Sequence, residues 1–482
     1  MALFLVGVAI LIVGGIFYSK IVDNTFQPDD RKTPAVEKAD GIDYVAMPEW
    51  KNALIELLNI AGTGPILGPI QGILFGPIAF LAIPLGNIFA GSVHDYFNGM
   101  ISMRNGGAQI PALVEKYLGK GIKRFYNVIV AILLLLTGVV FVYTPGDLIV
   151  GEILHLDVNN NIIWIIYAVI FIYYILSTVL PIDQIIGRIY PVFGLFLLIS
   201  AIGVFIGILR FGSGHMTFEG QGLLAEHPLG QKFIPSFFIT VACGILSGFH
   251  GSQSTLISRT VDNEKQGRSV FFGSMVVEGL IAMAWAGGAI VLFSQGQALD
   301  TSATLMVGQI SRKFMGNIGG LLAIIGVIVL PITSGDTSFR ALRLIIAEQM
   351  KIDQKDVKKR IGISLVIFIP AVLILYFAKT NPNGFNILWR YFGFTNQFVA
   401  IFALAVATSY LYHYKKAYLM THIPGTFYCF IVMTFISISD IGLHLPSTVG
   451  YIIGVICAAI YFIAVPKISK SMGKKIDETI LG

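Results

Sequence analysis

Asp95, His250, Glu278 and Asp336 stand inside long apolar stretches of a 482-residue chain that is 55% hydrophobic and 12% charged. An ionisable side chain at membrane depth is costly to desolvate, so it reads first as a functional group with a partner to be found. Asp336 lies in Pro331-Ile332-Thr333-Ser334-Gly335-Asp336-Thr337. A carboxylate beside the hydroxyls of Ser334 and Thr337, with nearby freed carbonyls, offers hard oxygen ligands to a cation; the alternative is a helix cap or an ion pair with Arg340 or Arg343. Asp95 follows His94, a pairing able to relay protons or to serve as a structural pair, with Arg104 as a further partner for Asp95. Glu278 sits about eight residues into its apolar stretch, too deep for a short side chain to reach water. It is either a protonated carrier of coupling protons or the partner of a neighbouring span.

A second class of residue offers backbone rather than charge. Gly62-Thr63-Gly64-Pro65-Ile66-Leu67-Gly68-Pro69 places three glycines and two prolines inside an apolar stretch. Proline removes a backbone donor and clashes with the preceding turn. Broken backbone at membrane depth is tolerated only where protein buries it or where it lines a cavity, so this stretch predicts the unwound centre of a discontinuous helix. Ala242-Cys243-Gly244-Ile245-Leu246-Ser247-Gly248-Phe249-His250-Gly251-Ser252-Gln253 repeats the pattern. The expected substrate site joins Gly62, Thr63, Gly64, Pro65 and Gly68 to Gly244, Ser247, His250 and Gln253, with Asn396 beside them. Close helix packing is the competing reading of the glycines, and interhelical hydrogen bonding that of Asn396 and Gln397.

The elements that must position these groups are membrane helices. Mean hydropathy is +0.78, and a soluble domain of this size would carry about twice the charge. Apolar spans are read near 2–18, 52–75, 77–103, 123–150, 161–180, 189–210, 234–256, 270–294, 318–339, 361–378, 388–412, 421–440 and 447–466, about 13 in all. Alternating the loops across the membrane puts 27 of the 33 Lys and Arg on one side. That side includes 20–51, 104–124, Arg188, 259–268, 340–360, 415–416 and 467–475. By the positive-inside rule it is cytoplasmic, with the N-terminus outside and the C-terminus inside. The net charge of +6 is then topology and requires no nucleic acid.

The two breaks lie five spans apart and cross in opposite senses, the mark of an inverted repeat. The fold expected is an all-α integral membrane protein of the LeuT type, a five-plus-five inverted repeat with two broken helices. Residues 1–51 form a first helix and cytoplasmic loop, 52–210 the first repeat, 234–412 the second, and 421–482 two further helices and a tail. Cys243, Cys429 and Cys457 are too widely spaced for a metal pattern. No HExxH, GxSxG or CxxC is present, so no enzyme, metal or cofactor is expected, and no output domain is read after 466.

Several of these runs resemble the carbon starvation protein A family. They are Gly62 to Pro65 with Gly68-Pro69, Gly91 to Asp95 with Ser102 and Arg104, Ala242 to Gly244 with Ser247 to His250, and Arg259 to Glu264. Glu278, Thr333 to Thr337 with Arg340, and Asn396-Gln397 are similar too. The resemblance implies a multi-pass plasma-membrane protein that imports a small carboxylate-bearing nutrient, pyruvate or short peptides, by H+ or Na+ symport during carbon starvation. The expected partners are that small molecule and membrane lipid. Ser334, Asp336 and Thr337 are read as the coupling-ion site, with Glu278 and Asp95 as proton carriers. A passive channel or a nutrient sensor is the alternative.

Overall fold

Among the described residues of the computed structural model ten helices are long and apolar enough to cross a membrane, and the bent pair Glu49–Ile60 and Gly64–Phe75 makes an eleventh. Residues 1–40, 44–179, 183–352 and 356–476 are described; Lys355, the Arg188 side chain and the chain end at Gly482, all used in the sequence reading, lie outside them. Apart from one isolated bridge, Met47 to Val261, the regular structure described is helical.

Two of the thirteen expected spans do not meet that length and apolarity. The stretch read at 77–103 is helical from 79 to 104, but it carries His94, Asp95, Asn98 and Arg104, which lower its hydropathy. The stretch read at 161–180 is the helix Ile162–Val179, whose apolar part, Ile162–Ser177, is short. The first helix is longer than its apolar core and runs Ala2–Phe26. Residues read as a loop before 318 begin a helix at Ala303 that kinks at Gly316, whose φ of 69° and ψ of −174° suit glycine alone.

Burial separates centre from rim. The apolar window of Phe233–Ile257 is 83% buried and that of Glu264–Ser294 78%, against 17% for Ser447–Gly473. The last helix packs on Leu419–Ile438, and that pair leans on Gly384–His413. Ile165, Ile202, Val366 and Leu373 are among the exposed apolar side chains, as expected of a surface solvated by lipid rather than water.

The two broken helices occupy the centre and run antiparallel along their whole length. Asn52 Nδ2 donates to the Thr260 carbonyl at 3.1 Å, and Ser254 Oγ to Glu56 at 2.6 Å. Gly64 packs on the Cys243 side chain, Gly68 on the backbone of Thr240 and Val241, and Gly72 on Val241 and Phe237. As one number rises the other falls. The first helix is interrupted at Ala61–Thr63 and bends by 51°. The second gives way to a tight turn at Ala242–Gly244 and restarts at Gly248, after the extended Ser247. Backbone approach this close leaves no room for side chains at Gly64 and Gly68, which is why both breaks are glycine-rich.

Candidate functional site

The helix that resumes at Gly248 carries His250 into the space between the helix 79–104 and the helix Ser274–Ser294. A π-helical turn at Asn87–Gly91 precedes His94 and Asp95; such turns widen a helix locally and recur at functional sites. Asn87 holds the second break in place. Its Nδ2 donates to the carbonyls of Gly244 at 3.2 Å and Met275 at 2.9 Å, so it satisfies an acceptor that the break frees.

These supports converge on one chain of ionisable groups. Asp95 Oδ1 is 2.7 Å from His94 Nδ1, and Asp95 Oδ2 is 3.2 Å from His250 Nδ1. His250 Nε2 is 3.5 Å from Glu278 Oε1. That last contact is close enough for an ion pair, yet it makes no aligned hydrogen bond, and both Glu278 oxygens lack a hydrogen-bond partner. His94, Asp95, His250 and Glu278 are all fully buried. Glu56 adds a third carboxyl one turn away: its Oε1 accepts from Ser254, while Oε2 has no partner. Asn98 lines the same space, with both polar side-chain atoms unpartnered; a side chain at Gly251 would meet His94 and Asn98. Three carboxyls and two imidazoles are thus buried side by side. Groups of these types in contact with one another can exchange protons. The two nitrogens of His250 face different carboxylates, so the ring can take a proton on one side and release it on the other.

The remaining residues singled out from the sequence fall into three places. Gly62, Thr63, Gly64, Pro65 and Gly68 are buried at the first break, where the Thr63 hydroxyl has no partner. Gly244, Ser247 and Gln253 are buried on the second broken helix. Asn396 is bound to that break: its Oδ1 accepts from Ser247 Oγ at 3.1 Å and from the Phe249 N–H at 2.9 Å, and its Nδ2 donates to Cys243 Sγ at 3.3 Å. Gln397 Nε2 donates to the Phe238 carbonyl. Both amides thus act as interhelical ties. Asn396→Ala is expected to leave the Phe249 N–H buried and unpaired, at a cost of about 1–3 kcal/mol, read as a lowered melting temperature of the purified protein.

Asp336 is set apart from the proton chain. Its partners include Ser177, which donates to Oδ1, and Arg340 at 3.3 Å, neither of them on a broken helix. Ser334 is buried with an unpartnered hydroxyl, and Thr337 donates to the Ser334 carbonyl at 2.8 Å. Glu56, Asn87 and Asn98 escaped the sequence reading. Glu56 had a signal, an acidic residue within a span, whereas the two asparagines had none beyond their presence in an apolar helix.

The two ends of the fold differ. At one, Arg104 donates to Glu264 at 3.0 and 2.9 Å, to the Tyr410 hydroxyl at 3.0 Å and to the Gln27 carbonyl at 2.8 Å. Segments 26–31, 104–107, 259–265 and 410–416 are thereby tied together. At the other, a cavity of about 400 Å³ reaches down to Gln71, Thr240 and Trp389 and stops short of the breaks. Among the described residues no group of three or more His, Cys, Asp and Glu is arranged to hold a metal ion.

Several known proteins are similar in fold or in sequence. In fold, the chain is similar to the LeuT-like Eremococcus coleocola manganese transporter, with a TM-score of 0.55, 13% identity, and 91% of this chain and 99% of that one covered. In sequence it is 41% identical over 340 residues to a Haemophilus influenzae membrane protein, covering 61% of this chain and 91% of that one. It is 24% identical to the Escherichia coli peptide transporter CstA, over 80% of this chain and 73% of that protein. It is 26% identical to the Escherichia coli pyruvate/proton symporter BtsT, over 59% of this chain and 48% of that protein. The family Carbon starvation protein CstA matches residues 1–149, 126–312 and 286–437. Paired helix breaks and a buried histidine–carboxylate chain thus sit in a sequence matched almost from end to end, and the chain belongs to the carbon starvation protein CstA family.

Proposed function

We propose that this protein is a secondary transporter that imports a small carboxylate-bearing nutrient, pyruvate or a short peptide, together with protons. The observation that carries the reading is His250, held between Asp95 and Glu278 on a helix that begins at a break. A histidine with a carboxylate at each ring nitrogen changes its hydrogen bonds whenever a proton arrives or leaves. Because that change occurs two residues from Gly248, it acts directly on the broken backbone. A shift there is a shift at the substrate site formed with Gly62 to Gly68, where the start of the Gly64–Gly72 helix turns its positive end toward a carboxylate. Asp336, engaged by Ser177 and Arg340, is less suited to coupling than Glu278.

The repeats 52–210 and 234–412 are the two moving halves in this reading, thirteen helices cross the membrane, and the N-terminus is outside. The Arg104–Glu264 network then closes the cytoplasmic end while the cavity at Gln71 opens outward, one side of an alternating-access cycle.

Proteoliposomes given labelled pyruvate or a labelled dipeptide, under a proton gradient and separately under a sodium gradient, test the whole reading. Saturable uphill accumulation driven by the proton gradient alone is expected. Passive flux unaffected by either gradient would favour a channel, and accumulation driven only by sodium would move coupling away from His250.

A further inference from the structure

The outward cavity has a lining that transport through the breaks does not explain. Among the described residues Arg390, partly buried, and Asp300, exposed, are the charged side chains of its lining, one of each sign. Burial, then the nearby Arg390, pushes the His227 imidazole down to about 4, so His227 adds no charge to the wall at neutral pH. Arg390 has no carboxylate within ion-pair distance among the described residues. Asp440, the carboxylate whose charge reaches it, is engaged by His444 at 2.8 Å. Lys379, beneath the cavity, is neutralised by Asp147 at 2.6 Å under the Tyr143 ring. A partly buried guanidinium that no carboxylate meets directly keeps its N–H donors free for a guest.

The rest of the wall suits a small organic guest. Tyr143 and Phe385 stack at 4.8 Å and give an apolar face. The Trp389 indole is fixed by its bond to the Thr240 carbonyl at 3.1 Å. A volume of about 400 Å³ lies at the small end of ligand pockets. An inorganic dianion would be repelled by Asp300, and a simple cation by Arg390.

The geometry points to a second binding site here, separate from the breaks, for a small zwitterion whose carboxylate lies on Arg390 and whose ammonium lies on Asp300. Arg390 suits the carboxylate because its planar fork donates two parallel hydrogen bonds. The site rests on the transport reading only in standing on the uptake path. Its recognition rule is stricter than that reading, because it requires both charges on one guest.

Equilibrium binding of labelled alanyl-alanine to the full chain in nanodiscs tests this, with uptake measured on the same preparations in liposomes. Arg390→Gln and Asp300→Asn are each expected to weaken binding by about tenfold or more, the scale of one charge-assisted hydrogen bond, and Arg390→Lys by less. N-acetylated alanyl-alanine should compete poorly on the natural protein, and Asp300→Asn should abolish that discrimination. Binding unchanged in both Arg390→Gln and Asp300→Asn overturns the site, as does a natural protein that does not bind alanyl-alanine. The two readings fail separately. Proton-driven uptake with binding unmoved by these variants removes the site and keeps transport. Binding that shifts as expected in a protein that moves no solute removes transport and keeps the site.

Discussion

His250→Gln is expected to abolish proton-driven accumulation while substrate exchange across the membrane continues. Glutamine keeps a hydrogen-bonding group near Asp95, which His94 also holds at 2.7 Å, so the fold should tolerate it. It cannot accept and release a proton, so the path from Asp95 to Glu278, through Nδ1 at 3.2 Å and Nε2 at 3.5 Å, is cut. Exchange needs only the alternation of a loaded carrier, whereas accumulation needs the proton to be counted in each cycle. The two measurements therefore separate coupling from mere structural support. Glu278→Gln should give the same division, with a pH dependence of uptake flatter than that of the natural protein. His250→Ala is a harsher change. It leaves buried carboxyls short of a partner, at a cost of roughly 3–5 kcal/mol, and is expected to lower expression as well. Natural levels of uphill uptake in His250→Gln would remove the proton chain from the mechanism.

Much of the architecture was legible because membrane helices obey one strong rule: backbone groups must be satisfied within the span. Gly62–Pro69 and Ala242–Gln253 violate that rule in composition alone, and both are breaks in the structure. Their antiparallel partnership was also readable, from the opposite senses in which they cross. Span counting was less secure, for a physical reason. From Ser92 to Met103 the helix 79–104 is shielded by protein, so it can carry His94, Asp95 and Asn98, groups that erase its apolar signal. The same shielding hid part of the site. Glu56 meets Ser254 198 positions along the chain, and Asn87 meets Gly244 across 157; neither pairing leaves a local pattern. Asp336 shows the opposite difficulty. Its surrounding hydroxyls looked like an ion site, but Arg340, one turn on, is a partner that spacing alone offered equally.

Gly64→Ala is expected to destabilise the protein and stop uptake, and Cys243→Gly is expected to restore both. A Cβ at residue 64 would overlap the Cβ and Sγ of Cys243, and Cys243 is itself confined, 5% exposed and bonded by Asn396. The backbones around the two breaks are therefore in contact at a point where neither can yield without opening the other. Overpacking of this kind costs about 1–3 kcal/mol, a loss readable as a drop in melting temperature. The Cys243→Gly change removes both overlapping atoms and transfers the missing side chain from one break to the other. In a double-mutant cycle the two substitutions should be strongly non-additive, with the pair closer to the natural protein than Gly64→Ala alone. Recovered stability without recovered transport would assign the Gly64–Cys243 contact to packing only. Additive losses would mean that the two breaks do not touch at this point during the cycle, contrary to a substrate site formed between them.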